Sequence, residues 1–154
     1  LIAAAYGVIE GGPPHLVTVV GPAGIGKSRL AHELRQLLGR LPEPVILLTL
    51  QADRPSNSQP YSLVRQIITA LFRLRAGDGP EAVRARLEEG VASVMGENSA
   101  EQAHFIGQLA GFDFSASPHL SGLLAEPRQI RDRALHYAAQ CLARLTAQAP
   151  MVLI

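Results

Sequence analysis

The chain has 154 residues, of which 47% are hydrophobic and 18% charged, enough for one globular domain with its own core. The net charge is +1 and the basic residues are spread along the chain, so nothing favours binding to nucleic acid or to a membrane surface. No apolar run reaches the length of a transmembrane span. A lone cysteine, Cys141, excludes an intrachain disulfide and fits a reducing, cytoplasmic compartment.

The first half of the chain alternates helical and strand patterns. Residues 1–9 carry apolar side chains at helical spacing and predict a helix that the Gly-Pro run at 11–14 ends. Residues 16–20 (LVTVV) form a continuous apolar run that is typical of a buried strand. Residues 27–38 predict a second helix. Residues 45–50 (VILLTL) are apolar on both faces and predict a strand of a parallel sheet covered by helices.

The second half is dominated by helical patterns. After a polar loop at 53–59, residues 61–74 and a segment that starts at Pro80 predict two helices, the latter with Gly90 weakening its middle. Ser99 and Gln102 have the spacing of a capping box before a short helix. Residues 112–126 look irregular, and Pro127 opens a long helix. The apolar run at 151–154 predicts a last strand.

Between the first predicted strand and its helix lies a motif of the form G-x-x-x-x-G-K-[ST], the phosphate-binding loop of nucleoside triphosphatases. It consists of Gly21, Pro22, Ala23, Gly24, Ile25, Gly26, Lys27 and Ser28, with Arg29 directly after it. The glycines permit positive φ and close approach of the backbone to a ligand. Successive backbone N–H groups and the start of the following helix then suit an anion. Strand, loop and helix form the setting that this motif requires.

The loop assigns a role to each polar side chain. Lys27 is expected to reach the β- and γ-phosphates and to assist in neutralising their charge, and the hydroxyl of Ser28 to bind Mg²⁺. Together with Arg29, the residues of the loop form the predicted nucleotide-binding set. No other residue of the sequence is assigned a catalytic role.

Each of the other candidate residues has a functional and a structural interpretation. The five histidines, His15, His32, His104, His119 and His136, share no metal-ligand spacing. Asp53 follows the second strand and is either metal-associated or a loop cap. Four arginines either contact phosphate or lie on the surface: Arg54, Arg128, Arg131 and Arg133. The surface position is the simpler interpretation. Cys141 lies on the apolar stripe of its helix and is interpreted as a core residue.

The order of these segments resembles the STAND branch of AAA+ ATPases, in particular the ATPase modules of bacterial signalling proteins. The resemblance is carried by the phosphate-loop strand, the strand at 45–50, Arg54 followed by residues 60–63 (PYSL), and residues 123–131 leading through the long helix to 150–154. Only the phosphate loop is a sharp motif. Relatives of this kind are fused to adenylate or guanylate cyclase domains, to DNA-binding activators or to helical repeats.

The resemblance implies an α/β fold of P-loop NTPase type, a parallel sheet flanked by helices that is incomplete at the C-terminal side. Residues 1–154 would form a partial nucleotide-binding domain that ends in the Walker B strand at 151–154. The acidic residues that follow this strand, the adenine-contacting segment and the sensor residues would then lie outside the chain. The family also places a further strand between the phosphate-loop strand and the Walker B strand.

The implied function is that of a regulatory module that binds ATP with Mg²⁺ and, in the complete protein, hydrolyses ATP slowly. Its partners would be further domains of the same chain, without direct contact to nucleic acid or membrane, and its oligomeric state stays open. Two alternatives remain: a nucleotide-sensing scaffold that does not hydrolyse, and a P-loop kinase that transfers phosphate to a small molecule. The preference for ATP over GTP is an implication of the resemblance alone.

Overall fold

The computed structural model describes residues 1–52 and 61–154, so the predictions for Asp53 and Arg54 lie outside the described residues. The chain divides into two compact units, residues 1–49 with 146–154 and residues 50–145. The elements, in chain order, are α1 (Ile2–Ile9), α2 (Lys27–Leu38), β1 (Ile46–Leu48), α3 (Ser62–Leu71), α4 (Pro80–Met95), α5 (Ala100–Leu109), α6 (Pro127–Gln148) and β2 (Met151–Leu153).

In the first unit, β1 and β2 form a two-stranded parallel sheet in which Ile46 lies opposite Met151 and Leu48 opposite Leu153. The N–H of Ile154 donates to the carbonyl of Leu48 at 2.8 Å and extends the ladder by one residue. Parallel strands require a long crossover connection, which the chain between β1 and β2 provides. The predicted strands at 45–50 and 151–154 are therefore confirmed, each shorter than its apolar run, and the structure shows that they are parallel neighbours.

A small apolar core lies beside this sheet. Ala5 of α1 and Leu34 and Leu38 of α2 are its buried members. Leu34 and Leu38 are four residues apart and therefore project from the same face of α2. The partly buried residues packed against them are Ile9, Leu41, Leu47, Val152 and Ile154. This packing fixes α2, and with it the end of the loop from which α2 begins.

The predicted strand at residues 16–20 is wrong. These residues have no regular secondary structure, and Leu16 and Val20 are 96% and 88% exposed. The sheet of the described residues consists of β1 and β2, and residues 16–20 pair with neither strand. A strand is stable only when its N–H and C=O groups bond to a neighbour, so an apolar pattern without a partner does not form one.

The second unit is helical and holds the larger core. Its fully buried side chains include Leu87 and Val91 of α4 and Phe105 and Ile106 of α5, each at 0% exposure. Burial of each such side chain contributes roughly 1.5–3 kcal/mol. Residues 112–126 form turns, as predicted, and insert Phe114 and Leu120 into the same core. The predicted helices of this region and the buried stripe of α6 are confirmed.

Gly90 lies in the middle of α4 and has a role in packing, which its low helix propensity does not indicate. A Cβ built on Gly90 would lie 2.3 Å from Cδ1 of Phe72, a distance that real Cβ contacts do not reach. Phe72 follows α3 and is 9% exposed. Because Gly90 has no side chain, the Phe72 ring can occupy the space beside it. The packing gained in this way outweighs the cost of about 1 kcal/mol of a glycine within a helix.

The capping box predicted from Ser99 and Gln102 is wrong. Ser99 is the residue before α5, but its backbone has φ −98° and ψ 19° and its side chain makes no capping bond. An N-cap residue normally has an extended backbone, which aims its oxygen at the first free N–H groups of the helix. Ser99 Oγ and Gln102 Oε1 are instead buried without a partner among the described residues.

Candidate functional site

The phosphate loop runs from Gly21 to the start of α2 at Lys27, and two of its glycines have left-handed backbones. Gly24 has φ 82°, and Gly26, the residue before α2, has φ 100° and ψ 14°. A Cβ at either position would meet nothing within 4 Å, so the backbone conformation, not lack of space, requires glycine there. Gly21, by contrast, has no positive φ. The loop therefore turns sharply at two points directly before the helix.

The side chain of Lys27 folds back over the phosphate loop that precedes it. Its ammonium Nζ donates to the carbonyl oxygens of Gly21 at 2.9 Å and Pro22 at 2.8 Å. These two bonds hold the charge above the loop backbone, and they require no side-chain carboxylate. The groups that hold the positive charge of Lys27 over the loop are therefore neutral carbonyls. An anion attracts this charge more strongly than a neutral carbonyl does and could replace them.

The start of α2 adds further positive potential. The first turn of α2 contains no acidic side chain that would offset the positive end of the helix dipole. The first N–H groups of any helix lack intrahelical partners. Gly24, Ile25, Gly26 and Ser28 are all exposed, with Ile25 at 66%. This surface can accept an anion through backbone groups, with the Ser28 hydroxyl available beside it.

Arg29 points along its own helix. Its Nε lies 3.8 Å from the Glu33 carboxylate one turn later, and the two side chains are 84% and 59% exposed. An exposed pair of this kind contributes little to stability and leaves Arg29 free to change partner. Its assignment to the nucleotide-binding set stays a prediction.

Beside the loop, the first unit contains an apolar cleft of about 530 Å³. Its walls come from α1, from residues 15–19, from α2 and from β2, and Lys27 is one of its lining residues. Apart from His15 and Lys27, the side chains that line it are apolar. The apolar part of this lining cannot hold phosphate groups, because their charge would lose hydration without gaining hydrogen bonds. The groups suited to an anion are Lys27 and the backbone groups of the loop and of the start of α2.

Of the other candidate residues, Cys141 and the three arginines of α6 lie in the second unit, whereas His15 and His32 lie in the first. Cys141 is 2% exposed, and burial raises the pKa of its thiol to about 11, which fits a core residue and excludes a reactive thiolate at neutral pH. Arg128 and Arg131 border a groove of this unit. Arg133 lies 3.9 Å from the carboxylate of Glu101. Within residues 1–52 and 61–154, no three His, Cys, Asp or Glu side chains are grouped to hold a metal ion.

No pattern in the sequence indicates that the buried His104 and Ser117 and the half-buried Glu88 form a series of hydrogen bonds in the second unit. His104 Nδ1 lies 2.6 Å from Ser117 Oγ, and His104 Nε2 lies 2.5 Å from Glu88 Oε1. Serine, histidine and carboxylate in this order also occur in hydrolases. Ser117 is 0% exposed, however, so its hydroxyl cannot meet a substrate. These hydrogen-bonded side chains have a structural role. Only the tertiary structure reveals their contacts, because the three residues are far apart in sequence.

A glycine-rich loop with two left-handed residues, a lysine folded over it and a helix starting at that lysine are features of P-loop nucleoside triphosphatases, although residues 16–20 before the loop do not form the expected strand. The family model of the AAA ATPase domain matches residues 1–154. The chain therefore belongs to the AAA ATPase domain family, and it is a nucleotide-binding NTPase module. This confirms the predicted α/β fold class of P-loop NTPase type.

No curated protein and no solved structure matches the chain. The assignment to STAND proteins, and to cyclase-associated ones in particular, stays a prediction. Among the described residues, no helix is long and apolar enough to cross a bilayer.

Proposed function

We propose that the phosphate loop, with Arg29, binds the triphosphate of ATP together with Mg²⁺, and that the chain acts as a regulatory module of a larger signalling protein. The observation that carries the proposal is the position of Lys27. Its ammonium group lies 2.8–2.9 Å from two carbonyl oxygens of the same loop. Family membership and the open, positively charged start of α2 support the same site.

The residues of the loop fit this ligand. Backbone N–H groups of the loop and of α2 would donate to phosphate oxygens, and Lys27 would exchange its bonds to Gly21 and Pro22 for bonds to phosphate. The Ser28 hydroxyl, exposed in the first turn of α2, would hold Mg²⁺. When bound, Mg²⁺ supplies neutralisation of phosphate charge. Transfer of the terminal phosphoryl group of ATP to water would be a hydrolysis. In this proposal the hydrolysis is slow enough to act as a switch.

The regulatory role is inferred from the resemblance to STAND ATPases. It includes the preference for ATP over GTP, a cytoplasmic location, and partner domains of the cyclase or DNA-binding type on the same chain. Hydrolysis also requires a carboxylate that holds the metal and orients water. No residue of this sequence is assigned that role. ATP binding is therefore the part of the proposal that this chain can test directly.

Lys27 is the only lysine in the sequence, which gives a direct test. An amine-acylating ester would modify Lys27 and the α-amino group of the protein used in the test, and mass spectrometry would give both rates with and without Mg-ATP. We expect ATP to slow acylation of Lys27 at least tenfold and to leave the α-amino group unchanged as an internal control. Equal rates at Lys27 with and without saturating ATP would show that the triphosphate binds elsewhere or not at all.

A further inference from the structure

The second unit contains a groove of about 690 Å³ between α5, the start of α6 and the residue before α3. Its volume lies in the range of small-molecule sites, roughly 300–1,000 Å³. Leu109, Leu124 and Ile130 give it apolar walls, and Tyr61, Arg128 and Arg131 give it polar ones. We call it the arginine groove.

The two arginines are placed to act together. Arg128 and Arg131 are three residues apart in the first turns of α6 and therefore lie on one face of the helix. Arg128 is exposed, and no hydrogen bond or ion pair of its side chain is found among the described residues. Guanidinium groups bind carboxylates and phosphates through paired N–H donors. The first turn of α6 contains no acidic residue, and the carboxylate of Glu126, directly before it, accepts a hydrogen bond from the Gln129 amide.

Arg131 has a partner that a ligand could replace. Its Nε and Nη2 each lie 3.0 Å from Asp132 Oδ1, and the two side chains are 46% and 66% exposed. Asp132, and after it the Tyr61 phenol, raise the pKa of Arg131. Because both partners are exposed, this bond is weak and exchanges readily. Both bonds of Arg131 also converge on one oxygen, so the fork of the guanidinium is not matched to the carboxylate.

Tyr61 is held in an unusual backbone conformation at the edge of the groove, with φ 63° and ψ 27°. This left-handed conformation is rare for a bulky residue and is found at sites where a side chain must be aimed. The Tyr61 ring is 40% exposed and lines the groove near Arg131. It combines an apolar face with a hydroxyl that can donate to an anion.

We propose that the arginine groove binds a small organic anion, with its carboxylate or phosphate at Arg128 and Arg131 and its apolar body on Leu109, Leu124 and Ile130. Charge complementarity selects the head group, and the apolar walls select a ligand with a short alkyl or aryl body over an inorganic ion. The groove lies within residues 50–145 and shares no residue with the phosphate loop. Such a site would let the chain respond to a ligand other than a nucleotide.

The test uses the whole chain, labelled for amide NMR, and three unbranched probes of six carbon atoms each: hexanoate, hexyl phosphate and hexan-1-ol. We expect hexanoate or hexyl phosphate to shift the amides of Leu109, Gly111 and Arg131, and hexanol to bind at least tenfold more weakly. Which of the two anions binds more tightly identifies the head group. Equal affinity for hexanol, or shifts confined to residues 21–30, would overturn the proposal.

Three variants sharpen this test. The double variant Arg128→Gln, Arg131→Gln should weaken binding of the preferred anion by about tenfold or more, since both charge-assisted contacts are lost. Asp132→Asn should strengthen it several-fold, because it frees the Arg131 fork. Arg75→Gln changes an exposed arginine of the same unit outside the groove and should leave affinity unchanged. Unaltered affinity in the double variant, with an unaltered melting temperature, would contradict the site.

Discussion

The ammonium group of Lys27 donates a hydrogen bond to the carbonyl oxygen of Gly21, 2.9 Å away, and so connects the first residue of the phosphate loop to its lysine. A second bond of 2.8 Å, to the carbonyl of Pro22, completes the closure. In this closed form the positive charge already lies over the loop. In the proposed site, binding of a phosphate would exchange these two bonds, and a side chain that is already held over the loop would reduce the entropic cost of ordering it.

Lys27→Ala is expected to weaken ATP binding by roughly 10- to 100-fold, because hydrogen bonds to charged groups contribute about 1.5–3 kcal/mol. Titration calorimetry with Mg-ATP measures the change. Lys27→Arg should fail to restore affinity, since a planar guanidinium does not replace a compact ammonium group in this loop. Arg40→Gln, an exposed change in the same unit, is the control and should bind ATP as the parent chain does. Undiminished affinity in Lys27→Ala would remove the assignment of the loop.

Ser28→Ala is expected to weaken ATP binding more in Mg²⁺ than in a chelator, because the hydroxyl is proposed as a ligand of the metal. Ser28→Thr keeps the hydroxyl and should be tolerated. Affinities measured with Mg²⁺ and with EDTA give the ratio that tests this role. Losses of equal size under both conditions would assign the hydroxyl to phosphate or to the fold, not to the metal.

Gly90→Ala is expected to destabilise the chain by about 1–3 kcal/mol despite the better helix propensity of alanine, since overpacking forces neighbours to move. The new Cβ would lie 2.3 Å from Cδ1 of Phe72. Gly77→Ala is the matched control, because a Cβ there meets nothing within 4 Å. Denaturant unfolding of the three proteins provides the free energies. A Gly90→Ala protein as stable as the parent chain would show that the Phe72 ring is not fixed in this position.

Ser117→Ala is expected to cost about 1–3 kcal/mol, because it leaves Nδ1 of the buried His104 without its partner at 2.6 Å. Glu88→Ala removes the partner of Nε2 on the other side of the ring. If the three side chains act as one network, the double variant should differ from the sum of the single ones by at least about 0.5 kcal/mol. Additive losses in denaturant unfolding would mean that the two bonds of His104 are independent.

Cys141 is expected to make the folded protein less stable in alkali. Burial raises the pKa of its thiol to about 11 from the ordinary value of 9.0, so above pH 9 the unfolded state loses a proton that the folded state keeps. The free energy of unfolding should therefore fall as pH rises from about 9 to 11. Cys141→Ala removes this contribution, and urea unfolding of both proteins at pH 8 and pH 10 measures it. The same pH dependence in both proteins would assign the loss to other groups.

Residues close together in the chain were enough to predict the helices and the form of the phosphate loop. Apolar periodicity gave the helices, since it records one face turned to a core, and the spacing of Gly21, Gly24, Gly26 and Lys27 gave the phosphate loop. Pro127 marked the start of α6 correctly because proline fits the first position of a helix without loss of a bond. These features depend on residues close together in the chain.

Tertiary structure alone decided what depends on partners distant in the chain. Residues 16–20 carry a strand pattern but form no strand, because pairing of backbone groups requires a neighbour that the local sequence does not specify. The contact of Gly90 with Phe72 and the bonds of His104 to Glu88 and Ser117 join separate elements, so no spacing revealed them. Arg128 and Arg131 look like surface residues in sequence, and only the packing of α5 beside α6 makes them the wall of a groove.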